Sequence, residues 1–551
     1  MNTPSPAPAP DCAAPAGERS DDMLEDCRHR LAVDPHQPEI LQRLGTLLLA
    51  RGQPADALAA LQQALALRPR FAEAQAGLGD VFRSLGQFPQ AVAAYHNALS
   101  LRPGLVDARR NLGLSLLGLR DLPAATKVLR AALEAAPDQP ETLEHLAIAL
   151  SEQRKFDEAC VLCQRAIALA PDRADAHAAF GSVLQAAGRL DEAAASFRRA
   201  LDLLPGHYSA GNNLGTVLIA QNRLDEARAL LDGLRERHPR SAELRYNLGL
   251  AQLAAGDFAA GWENYEFRTV IGEGRAACPI DAPCWDGQAP IRGKSLFIHT
   301  EQGLGDMIHF VRYATLAAEA GAEVTLGAPA VLKPLFATVP GVRAVIIPGE
   351  PLPAADWHCP LLSLPRAFGT RLDTIPARVP YLSAAPAAIA AWRAALGSGR
   401  KVGLAWSGNP SYKNDHLRSI PLADFATIAR DQPHRFFSLQ KDPRPADAAV
   451  LSALPQIEDL SARLGDFAHT AAIVSCLDLV VTVDTSAAHL AGALGVPVWV
   501  LLPFAADWRW LAGRTDSPWY PTMRLFRQTR PGDWGSVLAD VQRALAALPS
   551  S

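Results

Sequence analysis

Small, apolar and helix-stopping residues recur along the first half of the chain with a period of 34. Prolines stand at 35, 69, 103, 137, 171, 205 and 239, and Gly45, Gly79, Gly113, Ala147, Gly181, Gly215 and Gly249 form a second ladder of the same period. Ala57, Ala91, Ala125, Ala159, Ala193 and Ala227 each follow a ladder position by twelve residues. A small residue in each of two helices lets them touch, and a proline stops the second helix. The pattern predicts six full helix pairs over 36–240, a half unit ending at Pro35 and a degenerate seventh over 241–268.

Beyond this array the pattern changes. Short β-rich runs alternate with helical stretches: 294–301, 322–328, 343–349, 401–408, 434–441, 477–484 and 496–503. Apolar strands separated by helices predict parallel sheets covered on both faces. A Pro/Ala-rich segment near 376–390 divides them into two Rossmann-like halves facing a cleft, where ligands sit beyond the carboxyl ends of the strands. All ten tryptophans lie at or after 262, which marks a different core. The expected layout is a Pro/Ala tail over 1–20, disordered, then an all-α array over 21–268 and a linker over 269–292. An α/β module follows, its first half over 293–385 and its second over 386–551.

Composition narrows the function classes. The 551 residues exceed one compact domain, and 49% apolar with 20% charged residues is the balance of a folded protein. A net charge of −4 gives no basic excess for a phosphate polymer, so nucleic acid is not the expected partner. Eight scattered cysteines, no apolar run long enough for a span and an N-terminus without a signal-like core predict a cytoplasmic chain with no membrane span.

Three segments carry candidate chemistry. EQGLGDMIHF (301–310) is a glycine-rich turn leading from a strand into a helix. Gly303 and Gly305 let the backbone turn, Asp306 falls at the helix start as either a cap or an acid–base group, and His309 is either its helper or an ordinary helix residue. VVTVDTSAAHLAGALGVPVWVLLP (480–503) is a strand ending in Asp484, followed by a helix whose start, with Thr485 and Ser486, suits a diphosphate; His489 is one turn in. GLAWSGNPSYKNDHLRSIPLADF (403–425) brings Asn409, Lys413 and Arg418 to the cleft, where a cation stabilises a departing diphosphate; Gln440 ends the next strand. In 507–528, Trp508, Trp510, Trp519 and Tyr520 read as stacking platforms for a ligand or as a wedge against the first half. Cys160 and Cys163 form a CxxC but occupy packing positions of a helix.

The 34-residue ladders resemble the tetratricopeptide repeat, whose stacked units form a superhelix with a concave face that binds extended peptide. Asn111, Asn213 and Asn247 precede the ladder glycine by two residues, the slot that grips a peptide backbone in protein O-GlcNAc transferases. Arg43, Gly77, His145 and Ala179 fill the other slots. The α/β half resembles GT-B glycosyltransferases of families 9 and 41, including heptosyltransferases and flagellin-modifying enzymes. Its 301–310 segment is similar to their LGD loop, and 480–503 to their donor-binding element, with Ser486 where family 9 often has Gly. The resemblance implies Asp306 as general base, and a donor site of Lys413, Arg418, Asp484, Thr485, Ser486 and His489.

The expected activity is inverting transfer of a sugar from a nucleotide-sugar to a hydroxyl of a protein presented by the repeats. No cofactor is expected beyond that co-substrate, and no metal, because no two aspartates are separated by a single residue. A homodimer is compatible with the repeats. Two alternatives stand beside this reading: a non-catalytic repeat adaptor with a relic module, and a heptosyltransferase-like enzyme acting on a glycan.

Overall fold

The structure, a computed structural model, describes residues 16–271, 280–412 and 414–549. Contacts divide the chain into two compact units that meet in sequence at Asn213 and Leu214.

The first unit is a stack of helix pairs forming a tetratricopeptide superhelix. First helices have 13 residues, as in Pro38–Ala50, Ala72–Ser84 and Val106–Gly118; second helices have 14, as in Pro54–Leu67, Phe88–Leu101 and Leu122–Ala135. Pro54, Pro89 and Pro123 sit in the first turn of second helices, where the missing N–H is not needed. Within each pair the turn passes through the left-handed region at Gly52, Gly86, Arg120, Arg154 and Gly188.

The ladder glycines are there because large side chains lie against them. A Cβ on Gly79 would come within 2.5 Å of the Tyr95 ring, and on Gly113 or Gly181 within 2.6 or 2.7 Å of Leu129 or Phe197. Each partner stands sixteen residues on. At the one ladder position that carries a Cβ, Ala147, the residue sixteen on is the small Cys163, and both are fully buried. The CxxC is therefore packing.

The helix Ala16–Val33 begins inside the stretch expected to be tail. Leu24 and Cys27, 2% and 0% exposed, anchor it, and a helix once nucleated propagates at little cost. The remainder of that expected tail, residues 1–15, lies outside the described residues.

In the second unit, two all-parallel sheets follow the last repeats. The first holds β1 (Ser295–His299), β2 (Glu323–Gly327), β3 (Val342–Ile346) and β4 (Trp357–Pro360) in the order β3-β2-β1-β4. The second holds β5 (Lys401–Ala405), β6 (Arg435–Ser438), β7 (Ile457–Asp459), β8 (Leu479–Val483), β9 (Val498–Leu502) and β10 (Met523–Arg527) in the order β10-β9-β8-β5-β6-β7. Counted from its own first strand, the second sheet has the doubly wound order 3-2-1-4-5-6. Among the described residues no helix is long and apolar enough to cross a membrane.

The repeat pattern and the α/β core overlap. Trp262 and Tyr265, on the helix Phe258–Tyr265, are 2% exposed and pack edge-on against Trp508 at 5.3 and 5.5 Å. Within the stretch expected as a linker, Trp285 and Ile291 are buried, and Cys284 bridges to His358 in β4. The aromatic segment near the C-terminus is a wedge and not a ligand platform. Trp508, Trp510, Trp519 and Tyr520 are all buried, with Trp519 against Phe258, Phe310 and His309.

Candidate functional site

In a doubly wound sheet, the chain leaves the central strands in opposite directions and opens a crevice at their carboxyl ends. In the second sheet β5 and β8 flank that point, and in the first β1 and β4 do. The loops after β1, β5 and β8 carry the three segments singled out above.

After β1 the chain turns through Gln302, a non-glycine residue at φ 64°, and enters the helix Leu304–Phe310. Tyr265 accepts a hydrogen bond from Gln302 Nε2 at 3.1 Å. The buried Arg268 guanidinium holds Glu301 at 2.6 Å, Glu266 at 2.7 Å and Ser363 at 2.8 Å. The last repeat thus fixes the loop ahead of Asp306.

Gly303, not Asp306, is the helix cap; Asp306 is the third helical residue, and its Oδ2 accepts the Gly303 N–H at 3.0 Å. Its Oδ1 meets Arg509 Nη2 at 2.7 Å. Arg509, 5% exposed, is held in turn by Asp507 at 2.8 Å, with its guanidinium 4.4 Å over the Trp508 ring. Burial pushes the Asp306 carboxyl above the ordinary carboxylate range and Asp507 adds to the rise, while Arg509, the Gly303 N–H and Arg418 oppose it. Arg509 was not singled out in the sequence. Its only signal there is an arginine between two tryptophans, in DWRWL.

After β8 the helix Ser486–Ala493 starts, with Thr485 as its cap accepting the Ala487 N–H at 3.3 Å. Asp484 stands ahead of that cap, half-buried; burial and Asp507 raise its carboxyl against Arg418, Trp510 and Arg509. Gly305 packs against this helix start, where its Cβ would lie 3.5 Å from Ser486 N. The two histidines are core residues. His309 has no exposed surface and His489 is 4% exposed; their Nδ1 atoms are 3.3 Å apart, and the Tyr520 hydroxyl is 3.1 Å from each. Burial lowers both pKa values well below the usual imidazole range, so the pair is neutral. His309 is thus the ordinary helix residue of its two readings, and His489, expected near the phosphates, packs against the Trp510 ring at 5.2 Å.

After β5, Arg418 is tied at 3.2 Å to the buried Asp415 and lies 4.8 Å over the Tyr412 ring. Asp415 also pairs with Arg444, a second cation that the sequence reading missed. Asn409 is exposed and closes a turn by accepting the Ser411 N–H at 3.0 Å. Gln440 accepts the Ser407 N–H at 3.1 Å, joining the ends of β6 and β5. Lys413 lies outside the described residues.

Arg418, Asp507 and Arg509 therefore act electrostatically on both Asp306 and Asp484, Arg509 pairs with Asp306, and Gly305 touches the Ser486 helix start. The asparagine slots belong elsewhere. In the first unit, Asn111 Nδ2 donates to Asp80 at 2.8 Å and Asn213 Nδ2 to Ser182 at 3.4 Å; Asn247, half-buried, is in the second unit.

Tetratricopeptide repeat models match residues 43–86, 78–140, 145–208 and 184–246. Protein FlbA of Caulobacter vibrioides is 30% identical over 332 residues, which cover 54% of this chain and 54% of FlbA. The chain thus spans about half the length of the curated relative it matches. Among solved structures, the APC/C hetero-tetramer Cut9-Hcn1 is 17% identical with a TM-score of 0.39, covering 43% of this chain and 46% of that one. A tetratricopeptide repeat protein from Parabacteroides merdae is 17% identical with a TM-score of 0.38, covering 43% and 96%. Yeast Tom70 is 18% identical with a TM-score of 0.37, covering 47% and 56%. With its 34-residue ladders and the helix pairs they specify, the N-terminal region is an array of tetratricopeptide repeats.

Proposed function

We propose that the chain is an inverting glycosyltransferase that moves a sugar from a nucleotide-sugar to a hydroxyl of a protein recruited by the repeats. The observation that carries this reading is the meeting of Gly305, which precedes Asp306 after β1 of one sheet, with the Ser486 helix start, after β8 of the other. A proton acceptor and an anion-binding helix end then flank one crevice. Asp306 takes the proton of the acceptor hydroxyl as its oxygen attacks the anomeric carbon. The bond from that carbon to the diphosphate oxygen breaks on the opposite side, and the leaving diphosphate is received by the helix N–H groups and Arg418. The absence of an Asp-x-Asp pair supports transfer without a metal. The repeats supply the protein-binding surface.

The test is thermal shift and mass spectrometry of the purified chain with UDP-, GDP-, ADP- and dTDP-linked sugars. One donor is expected to stabilise it and to release free sugar slowly, with release lowered about 10²-fold or more in Asp306→Asn. No shift and no release with any donor overturns the reading in favour of a non-catalytic adaptor.

A further inference from the structure

Arg509 reaches out of the second half of the α/β region to a carboxyl of the first. It is buried, its Nη1 and backbone N–H are both held by Asp507 Oδ1 at 2.8 and 3.0 Å, and it lies between the rings of Trp508 at 4.4 Å and Phe310 at 5.4 Å. From there its Nη2 meets Asp306 Oδ1 at 2.7 Å, while the other oxygen of Asp306 is occupied by the Gly303 N–H. One oxygen of the carboxyl is therefore hydrogen-bonded from its own helix, and the other is ion-paired from the opposite half.

We propose that Arg509 is the positioning residue of Asp306: it holds the carboxyl ionised and in one orientation, so that the proton acceptor of the first half is completed by the second. The inference rests on the reading of Asp306 as the base. The groups that face Asp306 are Arg509 and Asp507 from the 507–510 segment, Arg418 from the loop after β5, Tyr265 from the last repeat and its own Gly303 N–H. Asp484 adds a further negative charge close to Arg418, Asp507 and Arg509, and the neutral His489 packs against Gly305. Arg509 is the cation in direct contact with the carboxyl. Without it, burial and the neighbouring carboxylates favour the protonated form, which cannot accept the acceptor's proton.

The experiment compares the full-length wild type with Arg509→Gln, Arg509→Lys and the double variant Asp306→Asn/Arg509→Gln. On the donor selected from the UDP-, GDP-, ADP- and dTDP-sugars, Arg509→Gln is expected to lower kcat about tenfold or more, with little change in donor KM. It is also expected to move the acid limb of the pH profile up by about one unit or more, and Arg509→Lys to return the limb most of the way. A lowered kcat with an unmoved limb overturns the proposal and leaves Arg509 a structural contact. A second readout needs no activity. Between about pH 5 and pH 8 the melting temperature of Arg509→Gln should fall more steeply than that of the wild type, and Asp306→Asn in the same chain should remove the difference. If the wild type turns over none of the donors, the glycosyltransfer reading fails on its own account. The melting curves then decide the pairing: a steeper fall supports it and parallel curves overturn it.

Discussion

Gly305 and His489 touch across the two halves of the α/β region: a Cβ on the glycine would lie 3.1 Å from His489 Cδ2. The same Cβ would lie 3.5 Å from Ser486 N and Cα, so the two helix starts that carry Asp306 and Ser486 meet almost backbone to backbone. Gly305→Val should push them apart. The expected cost is about 1–3 kcal/mol of stability, with loss of nucleotide-induced thermal stabilisation, because the branched side chain has no free volume to enter. Gly305→Ala, which gains helix propensity, should be far milder. Equal nucleotide response in wild type and Gly305→Val would show that this approach is not required for binding.

Removing Arg268 should loosen the loop that precedes Asp306. It leaves Glu301 and Glu266 without their shared cation, and breaking a buried pair from one side costs about 3–5 kcal/mol. Hydrogen exchange of the backbone around 300–306 should speed up in Arg268→Ala before the repeats are affected. Unchanged exchange in that loop would contradict the role given to the last repeat.

Ala147 and Cys163 offer a packing test. Cys163→Leu places a large side chain against a ladder position that already has a Cβ, and should cost about 1–3 kcal/mol. Adding Ala147→Gly recreates the Gly113 and Leu129 arrangement, so the double variant should recover most of the loss. Chemical denaturation of the four proteins measures the coupling; simple additivity would refute the pairing.

Stability should also respond to Glu144. Burial pushes its carboxyl up to about 7 although Arg173 stands 2.8 Å away. A carboxyl whose folded pKa lies above its unfolded value is bound more tightly as the acid in the native state, so stability is greatest below the unfolded pKa and falls as pH rises toward 7. Glu144→Gln should flatten the melting temperature between about pH 5 and pH 8. An unchanged slope would mean that Glu144 titrates like an exposed glutamate.

The repeats were legible because each ladder position answers to a partner at a fixed distance along the chain, as Gly79 does to Tyr95. The sheets were legible in the same way, from apolar runs such as 479–483 that have no exposed side. The site was only partly so. Asp306, Arg418 and Ser486 each follow a strand end, and local pattern reveals that. Arg509 matters because the chain returns some two hundred residues later to meet Asp306, and no local pattern encodes that meeting. The same holds for His309 and His489, whose distant partners, Tyr520 and Trp510, turn them into core. Thr485 caps its helix because its hydroxyl accepts the Ala487 N–H.

The contacts of Trp262, Tyr265 and Arg268 make the final helix pair part of the α/β core as much as of the array. In a stack where each unit contacts only its neighbours, gain or loss of a whole 34-residue unit further upstream is expected to leave the loop that carries Asp306 undisturbed. Under the proposed function, diversity of partners and constancy of reaction would fall to different stretches of one polypeptide, with the last repeat on the side of constancy.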